Sequence, residues 1–225
     1  MTRLVVATTN PGKLREIRDL LADVPVTLAG LAEMPPVDEP EETGVTFEEN
    51  ARLKALYYDS HLSPDRHVDG MTVAEDSGLV IDALDGEPGV RSARFLGADA
   101  SYPERFAEIF RRLAERPNQP RSARFVCAVA VVEKGRVIYE TTGTVEGEVA
   151  SAPSGSGGFG YDPIFYYPPY EATLADVTQA EKNRVAHRGV AFRKMADWLG
   201  RRLAAAGTSG QDREKKPVQT KNGER

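Results

Sequence analysis

Cysteine is almost missing from this chain. Cys127 stands alone, which excludes an internal disulfide framework. It lies in the apolar run FVCAVAVV (125–132), where a small buried hydrophobe is the expected role. No apolar run approaches the roughly 20 residues needed to span a bilayer. The N-terminal residues lack a signal-peptide layout, so a cytoplasmic protein with no membrane partner is expected. The three histidines, His61, His67 and His187, have no metal-ligand spacing, and no serine or cysteine triad is evident. Positive charge is also scarce. The net charge is −5, and residues 207–225 carry five Lys/Arg against three Asp/Glu, which leaves −7 on the rest. Such a body is a poor general binder of nucleic acid. If it binds a polyphosphate, the positive charge must be gathered in one cleft.

What is present suits a packed domain. Hydrophobic residues are 40% and charged residues 28% of the 225. No internal repeat is visible. Residues 1–206 read as a single domain, and the polar stretch 207–225 reads as a disordered tail. A strand is expected at 3–8 and a helix from Gly12 to about Ala22, with Leu14, Ile17, Leu20 and Leu21 at helical spacing. Residues 33–45 read as a loop, and T-x-x-E at Thr46–Glu49 starts a second helix. Strands at 71–75 and 79–83 flank EDSG. A third helix covers 102–115, and a long hairpin turns at Lys134-Gly135. Residues 154–160 form a glycine-rich loop. A second capping box at Thr178–Glu181 precedes a last helix, 188–206. Strands and helices without strict alternation point to an α/β fold with a mixed sheet.

Five places could carry chemistry. In ATTNPGK, Asn10 suits an N-cap and Pro11 the first helical position. Gly12 and Lys13 then fall in a first turn whose free N–H groups and dipole favour an anion. An ordinary strand-turn-helix with a solvated lysine has the same look. On the second helix Phe47, Asn50, Ala51, Lys54 and Tyr58 share one face, which is not a clean core stripe. Either this face meets a cleft or Lys54 snorkels to water. In EDSG, adjacent strand residues point to opposite faces, so Glu75 and Asp76 have different jobs. A carboxylate there can bind Mg²⁺ or take a proton from water, or the stretch is a turn. The acidic loop 38–42 matters only if folding brings Glu41 or Glu42 beside Asp76. In SGSGGFGYD, glycines permit close backbone approach, Phe159 can stack on a base and Asp162 can accept a hydrogen bond. Lys182 with His187 and Arg188 is the fifth. Together these are the parts of a nucleoside triphosphate site with Mg²⁺.

Seven stretches carry a resemblance: TTNPGK (8–13), EETGVTFEENARLKA (41–55), AEDSGL (74–79), GEPGVRSARF (86–95), ARFVCA (123–128), GGFGYDPIF (157–165) and EKNRVAHRG (181–189). In this order they resemble the inosine triphosphate pyrophosphatase family, from Arg3 to about Leu203. The resemblance implies an elongated two-lobed α/β fold around a long mixed sheet with flanking helices, with the active site in the cleft between the lobes. It implies Mg²⁺-dependent hydrolysis of ITP, dITP or XTP to the monophosphate and pyrophosphate, in a homodimer. By the same resemblance Thr8, Thr9, Asn10, Pro11, Gly12, Lys13 and Lys54 hold the triphosphate, and Asn50 lies alongside them. Asp76 is the base or the metal-bound carboxylate that orients water. Glu42, ahead of Glu41, is a metal ligand, and Ser77 touches substrate. Phe159, Gly160, Tyr161, Asp162, Lys182, His187 and Arg188 form the base pocket. One position departs: many members have Asp-Asp where this chain has Glu75-Asp76, so the second acid is kept. A pyrophosphatase for modified pyrimidine triphosphates and a non-catalytic nucleotide-binding module are the alternatives.

Overall fold

The computed structural model describes residues 2–62 and 70–211, with side chains to residue 205. His67 and residues 212–225 of the expected tail lie outside the described residues. Seven strands form one mixed sheet in the order β2-β1-β3-β4-β5-β6-β7. They are β1 (Thr2–Val6), β2 (Val26–Gly30), β3 (Gly70–Ile81), β4 (Ser122–Glu133), β5 (Arg136–Val149), β6 (Phe165–Tyr167) and β7 (Ala172–Thr173). The helices are α1 (Pro11–Leu20), α2 (Phe47–Leu62), α3 (Tyr102–Ala114), α4 (Gln179–Val185) and α5 (His187–Gln211). α5 is thus helical into the stretch read as tail.

β1 is parallel to β2 and β3, whereas β3 through β7 run antiparallel. The two expected strands around EDSG are one continuous strand, so the turn reading is corrected. Its ladder to β4 runs unbroken from Thr72 to Ile81, with Asp76 opposite Ala128 and Gly78 opposite Val126. Gly78 serves packing rather than a turn: a Cβ there would collide with Ser92 Oγ and the Gly89 carbonyl. Those belong to the 3₁₀ segment Gly89–Arg94, laid against β3.

The alternation along β3 sorts its side chains. Val73, with Cys127 and Val129 of β4, packs beneath Ile17 of α1 and Phe192, Met195 and Leu199 of α5. Ala74, with Ala128 and Ala130, packs against Phe47, Ala51 and Ala55 of α2. Farther along, Leu79 and Ile81 join a separate core with Phe106, Ile109 and Leu113 of α3. One long strand therefore carries cores at both ends, and residues 75–78 lie between them. β1 meets β3 only as far as Val73, where the Ala7 N–H still donates to the Val73 carbonyl. Between the carboxyl end of β1 and the bridge from Val80 to Pro88, the edge of β3 has no partner strand among the described residues, the usual place for a ligand in a parallel α/β sheet.

Candidate active site

A cleft of about 600 Å³ opens at this place, a size that suits a small-molecule ligand. Thr8, Thr9, Asn10 and Lys13 line one wall, and Glu41, Glu42 and Lys54 another. Phe159, Gly160, Tyr161, Asp162, Lys182, His187 and Arg188 line the far end, with Ser77 between.

At the first wall, Asn10 is the N-cap of α1. Its Oδ1 accepts from the N–H groups of Gly12 and Lys13 at 2.9 and 3.1 Å. This corrects the expectation that those amides are free for an anion. Pro11 and Gly12 are not cleft-lining residues. Charge instead comes from the Lys13 ammonium, paired at 2.5 Å with Glu75. Gly12 has another use: a Cβ there would press on the Phe159 ring at 3.0 Å.

Glu75 and Asp76 part as strand geometry requires. Glu75, on the α5 side, accepts from Lys13, from Arg188 Nη2 at 3.2 Å and from the Cys127 thiol at 3.1 Å. Burial opposes its charge, but Arg188 and Lys13 prevail and hold its carboxyl well below the usual range. Asp76 faces α2. Its Oδ1 accepts from Lys54 Nζ at 2.8 Å and its Oδ2 from Asn50 Nδ2 at 3.2 Å. Burial pushes the Asp76 carboxyl above its ordinary value, and the Lys54 ammonium pulls against it. Burial likewise works against the Lys54 charge, yet Asp76 and Glu42 outweigh it and raise its pKa. Lys54 also donates to Glu42 at 2.6 Å. Folding therefore brings Glu42, not just Asp76, to one ammonium. Asn50 is fully buried, and its Oδ1 accepts from the Gly44 N–H. It stands behind Asp76 rather than in the cleft, so the structure gives it a positioning role.

At the far end, Asp162 Oδ2 accepts from the Phe159 N–H at 2.7 Å and from Lys182 Nζ at 2.6 Å. The glycine loop is thereby tied to α4. Lys182 and Arg188 lie over the Phe159 ring, 4.6 and 5.4 Å from its centroid. Both cations also reach Glu16, at 2.8 and 2.6 Å. Arg188 donates to Ser77 Oγ as well. His187 stacks on Phe125, with ring centroids 4.8 Å apart. Among the described residues, two buried nitrogens here have no partner, His187 Nδ1 and Arg188 Nε. An unpaired buried polar atom costs about 1–3 kcal/mol, which a hydrogen-bonding ligand would recover.

Several residues escaped the sequence reading. Glu16 is 2% exposed and lies three residues after Lys13, beside the inward Ile17. A charge on an apolar stripe was the available signal. Arg94 donates to the Glu42 carboxylate and, at 3.1 Å, to its carbonyl. Ser92 and Tyr102 also line the cleft, as does Tyr58, which the sequence places on the Lys54 face of α2. Nothing local in the sequence marks Arg94, Ser92 and Tyr102.

Residues 4–198 match the model of the Ham1 family. The chain belongs to the Ham1 family. Among this chain's relatives, the dITP/XTP pyrophosphatase of Geobacter sulfurreducens is 45% identical over 201 residues, 89% of this chain and 98% of the relative. That of Geobacillus kaustophilus is 43% identical, covering 87% and 93%. A solved HAM1 protein from Coxiella burnetii aligns with a TM-score of 0.78 at 37% identity, covering 88% and 98%. The resemblance read from the seven stretches is borne out, as is the mixed α/β sheet with flanking helices.

Burial, and then the adjacent Arg188, depress the His187 pKa well below the ordinary 6.5. Folded His187 stays neutral where the unfolded chain protonates. Stability is therefore full above about pH 6.5 and falls below it, by at most about 1.4 kcal/mol per pH unit. Thermal unfolding from pH 8 to 5.5 should show this loss. His187→Phe, which keeps the stack on Phe125, should flatten it. Parallel curves for the two proteins would refute the assignment.

Proposed function

We propose that this Ham1-family chain hydrolyses ITP, dITP and XTP to the nucleoside monophosphate and pyrophosphate. Its relatives bear the name dITP/XTP pyrophosphatase. The observation that carries the reading is the division of one cleft. Lys13, Lys54 and Glu42 line the end suited to a triphosphate, with Asp76 behind Lys54, and Phe159 with the unpaired His187 and Arg188 nitrogens stands at the end suited to a base.

Water attacks the α-phosphorus, and Asp76 accepts its proton. The new P–O bond forms as the bond to the β-phosphate breaks, and pyrophosphate leaves. Lys13 and Lys54 turn to triphosphate oxygens, where their charge offsets what grows on the leaving group. Thr8, Thr9 and Ser77 flank the chain of phosphates. Asn50 keeps Asp76 aimed. Glu42 and Asp76 converge on one cationic nitrogen, an oxygen donor set that fits Mg²⁺. Among the described residues no group of three or more His, Cys, Asp and Glu gathers, so water and phosphate oxygens would complete the shell. Bound Mg²⁺ supplies charge neutralisation on the triphosphate. A 6-oxo purine accepts where adenine donates. Against ATP the buried Arg188 donor stays unpaired, and two such losses of about 1–3 kcal/mol each give roughly 10²-fold discrimination or more. Among the described residues no helix is long and apolar enough to cross a membrane. The reading includes a cytoplasmic homodimer, and action on small nucleotides rather than nucleic acid accords with the acidic body.

The test incubates the protein with Mg²⁺ and, separately, ITP, XTP, GTP, ATP and dTTP, with pyrophosphate and orthophosphate assayed independently. Pyrophosphate from ITP and XTP, with little from the others, is expected. Preference for a modified pyrimidine triphosphate would move the base specificity. Binding with no product would make this a nucleotide-binding module.

A further inference from the structure

At the triphosphate end, both carboxylate oxygens of Glu42 and both of Asp76 have donors. Glu42 Oε1 accepts from Lys54 Nζ at 2.6 Å, and its Oε2 from Arg94 Nη1. Asp76 Oδ1 accepts from the same Lys54 Nζ at 2.8 Å, and its Oδ2 from Asn50. One ammonium thus sits between the two carboxylates, where a cation shared by them would sit. Two cations cannot both hold that position without strong repulsion.

The two basic residues differ in how they are tied. Arg94 grips Glu42 by its carboxylate and by its main-chain carbonyl, so it anchors the acidic segment itself. Lys54 holds only carboxylates, and its side chain is 14% exposed, with a side open to the cleft. A lysine is a compact charge on a flexible stem and can swing between partners.

We propose that Lys54 is an exchangeable counter-ion: without nucleotide it holds Glu42 and Asp76, competes with free divalent metal for them, and yields to metal that arrives on a triphosphate. This rests on the reading of the cleft as a triphosphate site. A free cation would expel the ammonium from its buried partners and offer nothing in return. A metal–triphosphate complex brings phosphate oxygens that pair the ammonium again, so the exchange stays balanced in charge. The ligand that the free protein selects is therefore the metal–nucleotide complex over the metal alone. Glu42 and Asp76 meanwhile keep their positions, so the site is in place before the substrate enters.

The test measures Mn²⁺ binding to the full-length, nucleotide-free protein by electron paramagnetic resonance. Wild type is compared with Lys54→Met, Lys54→Gln and Arg94→Met, each checked for folding by circular dichroism. Removal of the ammonium should tighten Mn²⁺ binding by about tenfold or more, against less than about threefold for Arg94→Met. Adding Glu42→Gln to Lys54→Met should abolish the gain. Either folded Lys54 variant is sufficient. No gain would overturn the proposal. An equal gain in Arg94→Met would overturn it too, because a general charge effect would then explain both. The readout does not depend on turnover. No gain, with pyrophosphate still released from ITP by the wild type, would remove only the exchange. A gain, with no turnover of ITP by the wild type, would remove the pyrophosphatase reading instead.

Discussion

Asp76→Asn is expected to lower kcat for ITP by about 10³-fold or more, since a positioned general base is worth roughly 10²–10⁴ and the charge that aims Lys54 goes with it. Asparagine keeps the size of the side chain and can still meet Asn50. Lys54 keeps Glu42 as a partner. The hydrogen-bonded contacts of Asp76 are on the α2 side, while the Lys13 and Arg188 pairs fall on Glu75, which faces α5. Binding of ITP, measured by calorimetry before turnover matters, should therefore persist. A variant that turns over like wild type would remove Asp76 from the chemistry. One that loses binding and folding together would make it a structural residue.

Glu75→Gln should have the largest effect on the fold. Among the described residues Glu75 is the one acid that reaches both Lys13, at the triphosphate wall, and Arg188, at the base pocket. Its side chain is 1% exposed. Neutralising it leaves Arg188 buried with Glu16 as its remaining carboxylate. Removal of one partner from a buried pair costs about 3–5 kcal/mol. Denaturant unfolding should show a loss of this order. Selectivity for ITP over ATP should fall as well, because Arg188 is no longer fixed by two acids. Glu75→Asp, which keeps the charge, should restore most of both. An unchanged midpoint in Glu75→Gln would show that the network is not under electrostatic tension.

Much of this was legible in the sequence, for reasons that can be named. The capping box at Thr178–Glu181 formed as written, because such signals are local. The parity argument for Glu75 and Asp76 held because strand alternation is geometric. The turn kept as the alternative for this stretch came from reading Ser77-Gly78 by local propensity. The glycine is there because Ser92 occupies the space beside it, a contact no local reading can see. The amides of Gly12 and Lys13 were expected to be free, but Asn10, correctly read as the cap, had already used them. Asn50 was placed on the right face of α2 and one layer too shallow. Glu16 and Arg94 enter through pairing with residues far away in sequence, and their roles follow from tertiary contact alone. Motifs locate the groups that meet a ligand; the groups that hold those groups come from the fold.

The central claim is that water attacks the α-phosphorus. Its most direct test is hydrolysis of ITP in ¹⁸O-labelled water, with the products separated and weighed by mass spectrometry. The account predicts one ¹⁸O in the inosine monophosphate and none in the pyrophosphate. Label in pyrophosphate would place the attack at the β-phosphorus, label in orthophosphate at the γ-phosphorus, and either would contradict the alignment of Asp76 with the leaving pyrophosphate.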